Sequence, residues 1–533
     1  MFYDNLIINL LFLHIIQLMA AIIAIIPIVL LFVLMLGLKM AGHQSAFITL
    51  LVTIALALWV APTMGFAPQN FTTMGVGWAV VEGILKAVFP ILIIILMAIF
   101  SYNVLVESKE IEVIKNQFTS FSDDDGVTVL MLVWGFGGLL EGMAGFGTAV
   151  AIPAAILISL GYKPIFSALV ALIANTVPTG FGAVGVPVIT LCNEVAPGGA
   201  AAPELIREVA TYCVVQLSPL FIILPFIILT LTNRSHSAIV RNLLLSLWVG
   251  GVSLLTQYVV SMFLGAETPA IIGSVAAIIA LVIYSKLFAP KKDKSTVKHY
   301  TLAQTFRAWS VYLFILLFIL LSGPLFPAIN GFLKSHLVSH VALPIYTAGT
   351  TFNFGWISNA GLMLLLGTVI GGLIQGLSPR QLLVILAKTT VNLRKTVITI
   401  ISLVSIASVM NYAGMIVVIA SALAAVTGQL YPFFAPLIGA IGTFVTGSDT
   451  SSNILFAKLQ ANVAHQLDYS DPNWLVAANT TGATGGKMIS PQSIAIATAA
   501  CNMQGRDGEI LRAALPYAIG YIVIGGLMVL LAV

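Results

Sequence analysis

One carboxylate stands in a hydroxyl-rich turn within an otherwise apolar stretch, TGSDTSSNILFAKLQ at residues 446–460. The carboxylate is Asp449, and its polar neighbours are Ser448, Thr450, Ser451, Ser452 and Asn453. A carboxylate at membrane depth is costly and is usually an ion or proton site. The alternative interpretation is that Asp449 helps to cap the helix that follows. In either case, a hydroxyl-rich helix N-terminus is suited to a small anion.

Two further charged residues lie in glycine-rich segments. Glu141 lies in GLLEGMAGFG, where it could exchange a proton near neutral pH or act as a structural carboxylate. Lys487 lies in TGGKMISPQS, where it could hold a substrate carboxylate or pair with Asp449 or Glu141. Its alternative role is that of an interfacial lysine whose ammonium reaches water. We predict Asp449 and Glu141 as proton-coupling groups and Lys487 as a substrate ligand.

Asparagine and threonine residues mark two similar breaks in apolar runs, ANTVPTGFGAVGVP and ANTTGATGGKMISP. Unwound turns expose backbone groups that such side chains can satisfy, and the same side chains can bind a small hydroxylated anion. Helix packing and substrate binding both remain open for each of them. The predicted substrate-binding residues are Lys487, Thr450, Ser451, Ser452, Asn453, Asn175, Thr176, Asn479, Thr480, Thr481, Asn411 and Tyr412.

The composition indicates the class of protein that must position these residues. The chain has 533 residues, of which 59% are hydrophobic and 8% charged, and its mean hydropathy is +1.06. Soluble domains carry about 25% charged residues. Apolar runs of about twenty residues recur along the chain, which predicts an all-α polytopic membrane protein.

The sequence contains no signal for a nucleic-acid partner, a metal site or a catalytic site. The net charge of +4 is too small to indicate a nucleic-acid partner, and three isolated cysteines offer neither a disulfide framework nor a metal site. No nucleotide-binding loop, metalloprotease helix or other assembled catalytic set is present. We therefore predict no cofactor, no metal and no enzymatic activity.

Twelve transmembrane helices and two re-entrant hairpins are predicted. The hairpins span 128–160 and 431–464, because the apolar piece after each glycine-rich centre is too short to cross about 30 Å of hydrocarbon. The predicted spans are 17–38, 43–61, 77–104, 165–191, 211–232, 241–263, 267–288, 309–330, 355–377, 396–420, 475–502 and 514–533. Within the third span, Glu82 and Lys86 are expected to pair on an interfacial turn.

The two halves of the chain repeat one pattern. Ala174-Asn175-Thr176, Gly182 and Pro187 recur 304 residues later, as Ala478-Asn479-Thr480, Gly486 and Pro491. The predicted span count gives the halves opposite orientations, which is typical of inverted-repeat secondary transporters. We predict an N-terminal half at 1–290, a basic linker at 291–308 and a C-terminal half at 309–533.

Charged loops assign the orientation of the chain in the membrane. The loop 286–309 is rich in lysine and is therefore predicted to be cytoplasmic, as are Arg241 and Arg380. The acidic loop with Glu194, Glu204 and Glu208 is predicted to be external. The span count also makes 105–127 cytoplasmic, although acidic residues predominate there.

Six segments resemble the bacterial L-lactate permease family. They are LLEGMAGFGTAVAI (139–152), GYKP (161–164), NTVPTGFGAVGVP (175–187), NYAGM (411–415), FVTGSDTSSNILFAKLQ (444–460) and VAANTTGATGGKMISPQSIAIA (476–497). The resemblance implies import of lactate, and in several members glycolate, together with protons. It also implies a wider group of inverted-repeat organic-anion transporters with two re-entrant hairpins.

The function predicted from the sequence is uptake of L-lactate and related 2-hydroxy monocarboxylates, such as glycolate and D-lactate, by proton symport. The expected partners are this small anion, protons and the lipid bilayer, with a homodimer possible. The expected location is the inner (cytoplasmic) membrane of a bacterium. The alternatives are a sodium-coupled organic-anion transporter, a cation/proton antiporter and a passive anion channel.

Overall fold

Helices make up almost all of the structure, a computed structural model. It describes residues 19–38, 40–60, 62, 73–118, 124–143, 145, 147–233, 235, 238–288, 300–322, 326–345, 351–503 and 506–532. Half of the predicted basic linker, residues 291–299, lies outside these residues. One two-stranded antiparallel sheet, β1 (Val338–Val341) and β2 (Phe352–Gly355), occurs in the described part.

The first half of the chain supplies thirteen of the labelled helices. They are α1 (Ile26–Phe32), α2 (Gly42–Ala55), α3 (Thr73–Lys86), α4 (Ile93–Glu107), α5 (Glu110–Phe118), α6 (Asp125–Leu130), α7 (Gly137–Met143), α8 (Thr148–Ser159), α9 (Pro164–Thr179), α10 (Gly182–Val195), α11 (Pro203–Thr232), α12 (Ile239–Leu264) and α13 (Pro269–Phe288). Short π-helical stretches continue α1, α2, α3 and α6, so that α6 and α7 form one rod.

The second half supplies the remaining labelled helices. They are α14 (Leu302–Ser322), α15 (Pro327–Ser335), α16 (Ala360–Ile374), α17 (Pro379–Asn392), α18 (Arg394–Tyr412), α19 (Met415–Thr427), α20 (Tyr431–Thr446), α21 (Asp449–Gln466), α22 (Pro472–Lys487), α23 (Pro491–Ala500) and α24 (Asp507–Leu531).

Ten helices in the described part are long and apolar enough to cross a membrane, and one bent pair would make eleven. The predicted all-α polytopic class is therefore confirmed. The count of twelve spans and the re-entrant path of the two hairpins stay predictions.

Several boundaries differ from the predicted spans. The span 396–420 is two helices, because Gly414 takes a left-handed φ of 77° between α18 and α19. The span 309–330 ends at Ser322, and the short α15 and the sheet follow it. The helix α17 was not predicted, and Ser378 starts it with a capping box to Gln381.

Each predicted hairpin is a pair of packed helices joined by a glycine turn. The 12 residues of α8 span about 18 Å, well short of a bilayer core. The 18 residues of α21 span about 27 Å, which is longer than predicted. Gly147 and Gly447, with φ of 85° and 73°, make the two turns.

A broken helix follows each hairpin. The axes of α9 and α10 differ by 49°, and residues 183–185 at the break have positive φ. After α22, the chain breaks at residues 488–490 and restarts at Pro491. Both halves thus contain a hairpin followed by a broken helix, while the inverted relation between them stays a prediction.

Backbone contact without intervening side chains holds the second hairpin against the broken helix. A Cβ on Gly482 would lie 1.6 Å from the Pro436 carbonyl oxygen, and one on Gly439 would lie 2.0 Å from the Asn479 oxygen. The helices α20 and α22 can therefore approach this closely only because both positions are glycine.

Candidate functional site

Glu141, Asp449 and Lys487 meet inside the helix bundle, and we call them the central cluster. The Lys487 ammonium lies 3.1 Å from Glu141 Oε1, and Asp449 interacts electrostatically with both residues. Glu141 and Asp449 are buried, and the Lys487 side chain is 13% exposed. Three charged residues that are distant in sequence are therefore brought together, which was one of the options that the sequence left open for Lys487.

Ser448, and not Asp449, caps the helix α21. Gly447 ends α20, Ser448 is extended, and the Ser451 amide donates to Ser448 Oγ at 3.3 Å. Neither Asp449 carboxylate oxygen meets hydrogen-bond geometry with a partner among the described residues, although the Thr443 side chain interacts with the carboxyl. Capping therefore does not account for this buried carboxyl.

Lys487 is the last residue of α22, where the helix dipole favours a cation. Ser490 then caps α23 by accepting a hydrogen bond from the Ser493 amide at 3.2 Å, and Pro491 is the first helical residue. The ammonium is thus held at a break between two helices, as the sequence indicated.

Glu141 occupies the inner helix of the first hairpin and faces the start of α10. A Cβ on Gly182 would come within 2.7 Å of Glu141 Oε1, so a larger residue there would displace the carboxyl. The second oxygen, Oε2, has no hydrogen-bond partner in the described structure. Each acid of the central cluster therefore retains unused acceptor capacity.

Some predicted substrate ligands instead form a network between helices. Asn453 donates to the Pro187 carbonyl at 2.9 Å and to Thr480 at 2.8 Å, and Asn479 donates to Asn453 at 2.9 Å. The hydroxyl of Ser452 donates to the Gly439 carbonyl. These bonds join α10, α20, α21 and α22, and they favour the packing interpretation for these residues.

Thr481 also has a partner on another helix, because its hydroxyl donates to Gln216 of α11 at 2.7 Å. Thr450 and Ser451 lie in the first turn of α21 beside Asp449 and are buried. Thr450 and Ser451 therefore lie at a helix N-terminus, where the sequence predicts binding of a small anion.

Asn175 and Thr176 line a small space together with Lys487 and Ser493. The Asn175 amide donates to Thr179, its carbonyl Oδ1 has no partner among the described residues, and Thr176 donates to the Ile173 carbonyl. The first-half break therefore places polar residues beside Lys487.

Asn411 and Tyr412 end α18 and belong to a different region. The Tyr412 hydroxyl lies 3.3 Å from Glu82 Oε1, and it donates there because a carboxylate can only accept. The structure thus separates this predicted ligand from Lys487 and Asp449 and joins it to a second set of charges.

We call this second set, Glu82, Lys86, Glu194 and Lys458, the peripheral cluster. Lys86 lies 3.0 Å from Glu82, and Lys458 lies 3.6 Å from Glu194. The expectation that Glu82 and Lys86 pair is correct, and both side chains are buried within the helix bundle. Their placement at the membrane interface stays a prediction.

Sequence reasoning also missed two members of the peripheral cluster. Glu194 was assigned to an external loop, but it lies buried in the last turn of α10. Lys458 lies inside the apolar run NILFAKLQ and is not among the predicted site residues. A lysine in such a run, and an acid–base pair four residues apart in another, were the available signals.

Comparisons with known proteins cover nearly the whole chain. The family model described as L-lactate permease matches residues 20–533. An L-lactate permease of Streptococcus iniae is 39% identical over 465 residues, covering 87% of this chain and 94% of that protein. The chain belongs to the L-lactate permease family.

Another relative in the L-lactate permease family carries a different substrate in its name. The glycolate permease GlcA of Escherichia coli (strain K12) is 32% identical, covering 96% of this chain and 95% of that protein. Membership in a family of permeases identifies a transporter rather than an enzyme.

Two solved transporters share the fold of this L-lactate permease family member at low sequence identity. YdaH of Alcanivorax borkumensis aligns with a TM-score of 0.53 at 13% identity, over 91% of this chain and 98% of that one. MtrF of Neisseria gonorrhoeae aligns with a TM-score of 0.50 at 12% identity, over 91% and 94%. The chain therefore shares its overall fold with these two proteins.

Proposed function

We propose that this chain is a secondary active transporter that takes up L-lactate and related small 2-hydroxy monocarboxylates, including glycolate and D-lactate, with protons. The observation that carries the mechanism is the central cluster: a buried lysine–carboxylate pair beside a second buried carboxyl, Asp449, that lacks a hydrogen bond. The substrate class follows the names of the relatives.

A 2-hydroxy monocarboxylate needs one partner for its carboxylate and one or two for its hydroxyl. The Lys487 ammonium and the amides at the start of α21 suit the carboxylate, since both favour negative charge. Asn175 and Thr176 lie beside Lys487 and suit the hydroxyl. The central cluster and the adjoining residues Asn175 and Thr176 thus offer both kinds of contact in one place.

The charge balance of the central cluster gives a reason for proton coupling. With both acids ionised, one lysine leaves a net charge of −1, which repels an incoming anion. One proton makes the cluster neutral, and a second makes it positive. Binding of protons and of the anion would therefore be mutually favourable, and this coupling is reciprocal.

An uptake panel in proteoliposomes tests this proposal. Radiolabelled L-lactate, D-lactate, glycolate and pyruvate are offered under an imposed pH gradient, a sodium gradient or neither. We expect L-lactate to accumulate against its gradient when the pH gradient is imposed. Accumulation that requires only sodium would favour the sodium-coupled alternative, and equilibration without accumulation would indicate a channel.

The variant Asp449→Asn tests the coupling residue. The amide cannot exchange a proton, so we expect accumulation driven by the pH gradient to fall at least about tenfold, with lactate exchange at equal pH retained. Asp468→Asn, the same substitution in the exposed turn that follows α21, is the matched control. Full pH-driven accumulation in Asp449→Asn would exclude this carboxyl as the coupling group.

A further inference from the structure

The peripheral cluster is an alternating set of buried acids and bases from three helices. Glu82 and Lys86 come from α3, Glu194 from α10 and Lys458 from α21. Besides its own partner, Lys86 interacts electrostatically with Glu194, and Lys458 does so with Glu82. The two positive and two negative charges therefore balance. The hydroxyls of Ser408 and Tyr412 of α18 donate hydrogen bonds to the two carboxylate oxygens of Glu82.

Two helices connect the peripheral cluster to the central cluster. Lys458 follows Asp449 by nine residues on α21, which places the two about 14 Å apart along the helix axis. On α10, Gly182 packs against Glu141 at one end, and Glu194 lies in the last turn at the other. The helices α10 and α21 pack together, so both clusters lie along one helix pair.

A cavity of about 530 Å³ opens beside the peripheral cluster. Its lining includes Gly199 and Asn193, the residue that precedes Glu194 in the chain. A Cβ on Gly199 would lie 2.2 Å from Lys86 Cε, so the backbone of a residue that lines the cavity packs directly against this lysine. Arg207 and Lys334 also line the cavity, together with Glu267.

Even a balanced set of buried charges is costly, because burial removes water from every charged group. A protein with apolar residues of similar size in their place is often at least as stable. The arrangement has one chemical property that apolar packing lacks. A proton on Glu194 would leave a positive charge in excess, carried by Lys86 or by Lys458, whose side chain is 14% exposed.

We propose that Glu194, Lys86 and Lys458 form a second, proton-dependent binding site for the carboxylate of a small monocarboxylate, between the cavity and the central cluster. This inference rests on the proposed function. A proton that arrives through the cavity neutralises Glu194, and the released lysine pairs with the substrate carboxylate. The ionisable groups that face Glu194 are Lys86 and Glu82 of α3, Lys458 of α21 and Tyr412 of α18.

The test is the KM for L-lactate in proteoliposomes, with the pH changed only on the side that carries residues 194–208. Because only protein with a protonated Glu194 binds, wild-type KM should rise as the pH increases, by up to about tenfold per pH unit. Glu194→Gln imitates the protonated state. We expect its KM at about pH 8 to fall at least about tenfold below wild type.

The double variant Glu194→Gln/Lys458→Gln removes the released lysine and keeps the charges balanced. We expect its KM to exceed that of Glu194→Gln at every pH, while its elution as a monodisperse species shows that it folds. Glu509→Gln, in the exposed pair with Arg506, is the control and should match wild type.

The two proposals fail in different ways. If wild-type protein does not accumulate L-lactate under a pH gradient, the proposed function fails. If wild type accumulates it but Glu194→Gln has wild-type or higher KM at alkaline pH, the second site is refuted. A double variant with the same KM as Glu194→Gln would likewise refute the role of Lys458.

Discussion

At the scale of single residues, the hairpin turn of α21 divides two tasks between adjacent side chains. Ser448 caps the helix by accepting a hydrogen bond from the Ser451 amide, so Asp449 is not needed as a cap. A buried carboxyl without a hydrogen bond is unfavourable for folding. A buried carboxyl of this kind is expected where a change in its charge state serves the function of the protein. This is the reason for proposing Asp449 as the proton-coupling group.

The variant Lys487→Met tests whether the buried acids of the central cluster depend on the lysine for stability. Removing the ammonium leaves Glu141 and Asp449 buried without their cation, which typically costs about 3–5 kcal/mol. We expect a clearly lower thermal midpoint in detergent and loss of lactate uptake. Differential scanning fluorimetry and proteoliposome uptake measure the two effects.

The double variant Glu141→Gln/Lys487→Met separates stability from transport. Because it removes both charges of the pair, we expect a thermal midpoint closer to wild type but still no uptake. Lys388→Met, at an exposed lysine of α17, is the control for the loss of a charge. Recovery of uptake in the double variant would contradict a substrate-binding role for Lys487.

At the scale of secondary-structure elements, glycine positions decide how closely the second hairpin approaches the broken helix. The contact of Gly482 with the Pro436 carbonyl is between backbone atoms, which cannot move aside as a flexible side chain can. This packing holds α20 beside α22, the helix that ends at Lys487. The geometry of the central cluster therefore depends on it.

Gly482→Ala should force these two helices apart. Overpacking of this kind typically costs about 1–3 kcal/mol, and more where backbone must shift. We expect a lower thermal midpoint and reduced uptake at unchanged expression. Gly520→Ala is the matched control, because no heavy atom lies within 4 Å of its added Cβ and alanine is the better helix former. Equal midpoints for the two variants would refute the close-packing explanation.

The sequence predicted the elements that depend on local signals. The glycine turn before Asp449, the cap at Ser490 and most long apolar helices are local features, and the structure has them. The pairing of Lys487 with Glu141 was one of the options left open. The peripheral cluster depends on which faces of α3, α10 and α21 meet, and a single sequence carries no such contact information.

At the scale of the whole molecule, the acidic segment 105–127 and the basic loops contact each other. Glu110 lies 2.8 Å from Arg307, and Ser108 donates to Gln375 at 2.8 Å. Asp124 pairs with Arg241 at 2.6 Å. These contacts put the acidic segment on the same face as the loops that the charge rule makes cytoplasmic, which is consistent with the predicted topology.

Cysteine labelling from either side of the membrane tests this topology. Glu204→Cys and Lys334→Cys lie near the cavity and should react with an impermeant maleimide from outside, whereas Lys388→Cys should react only from the cytoplasmic side. The three natural cysteines are buried, so the wild-type background should be low. Labelling of positions 204 and 388 from one side would overturn the assignment of faces. If that side is the cytoplasmic one, the cavity would lie there too, and the proton and lactate that reach the peripheral cluster would come from within the cell.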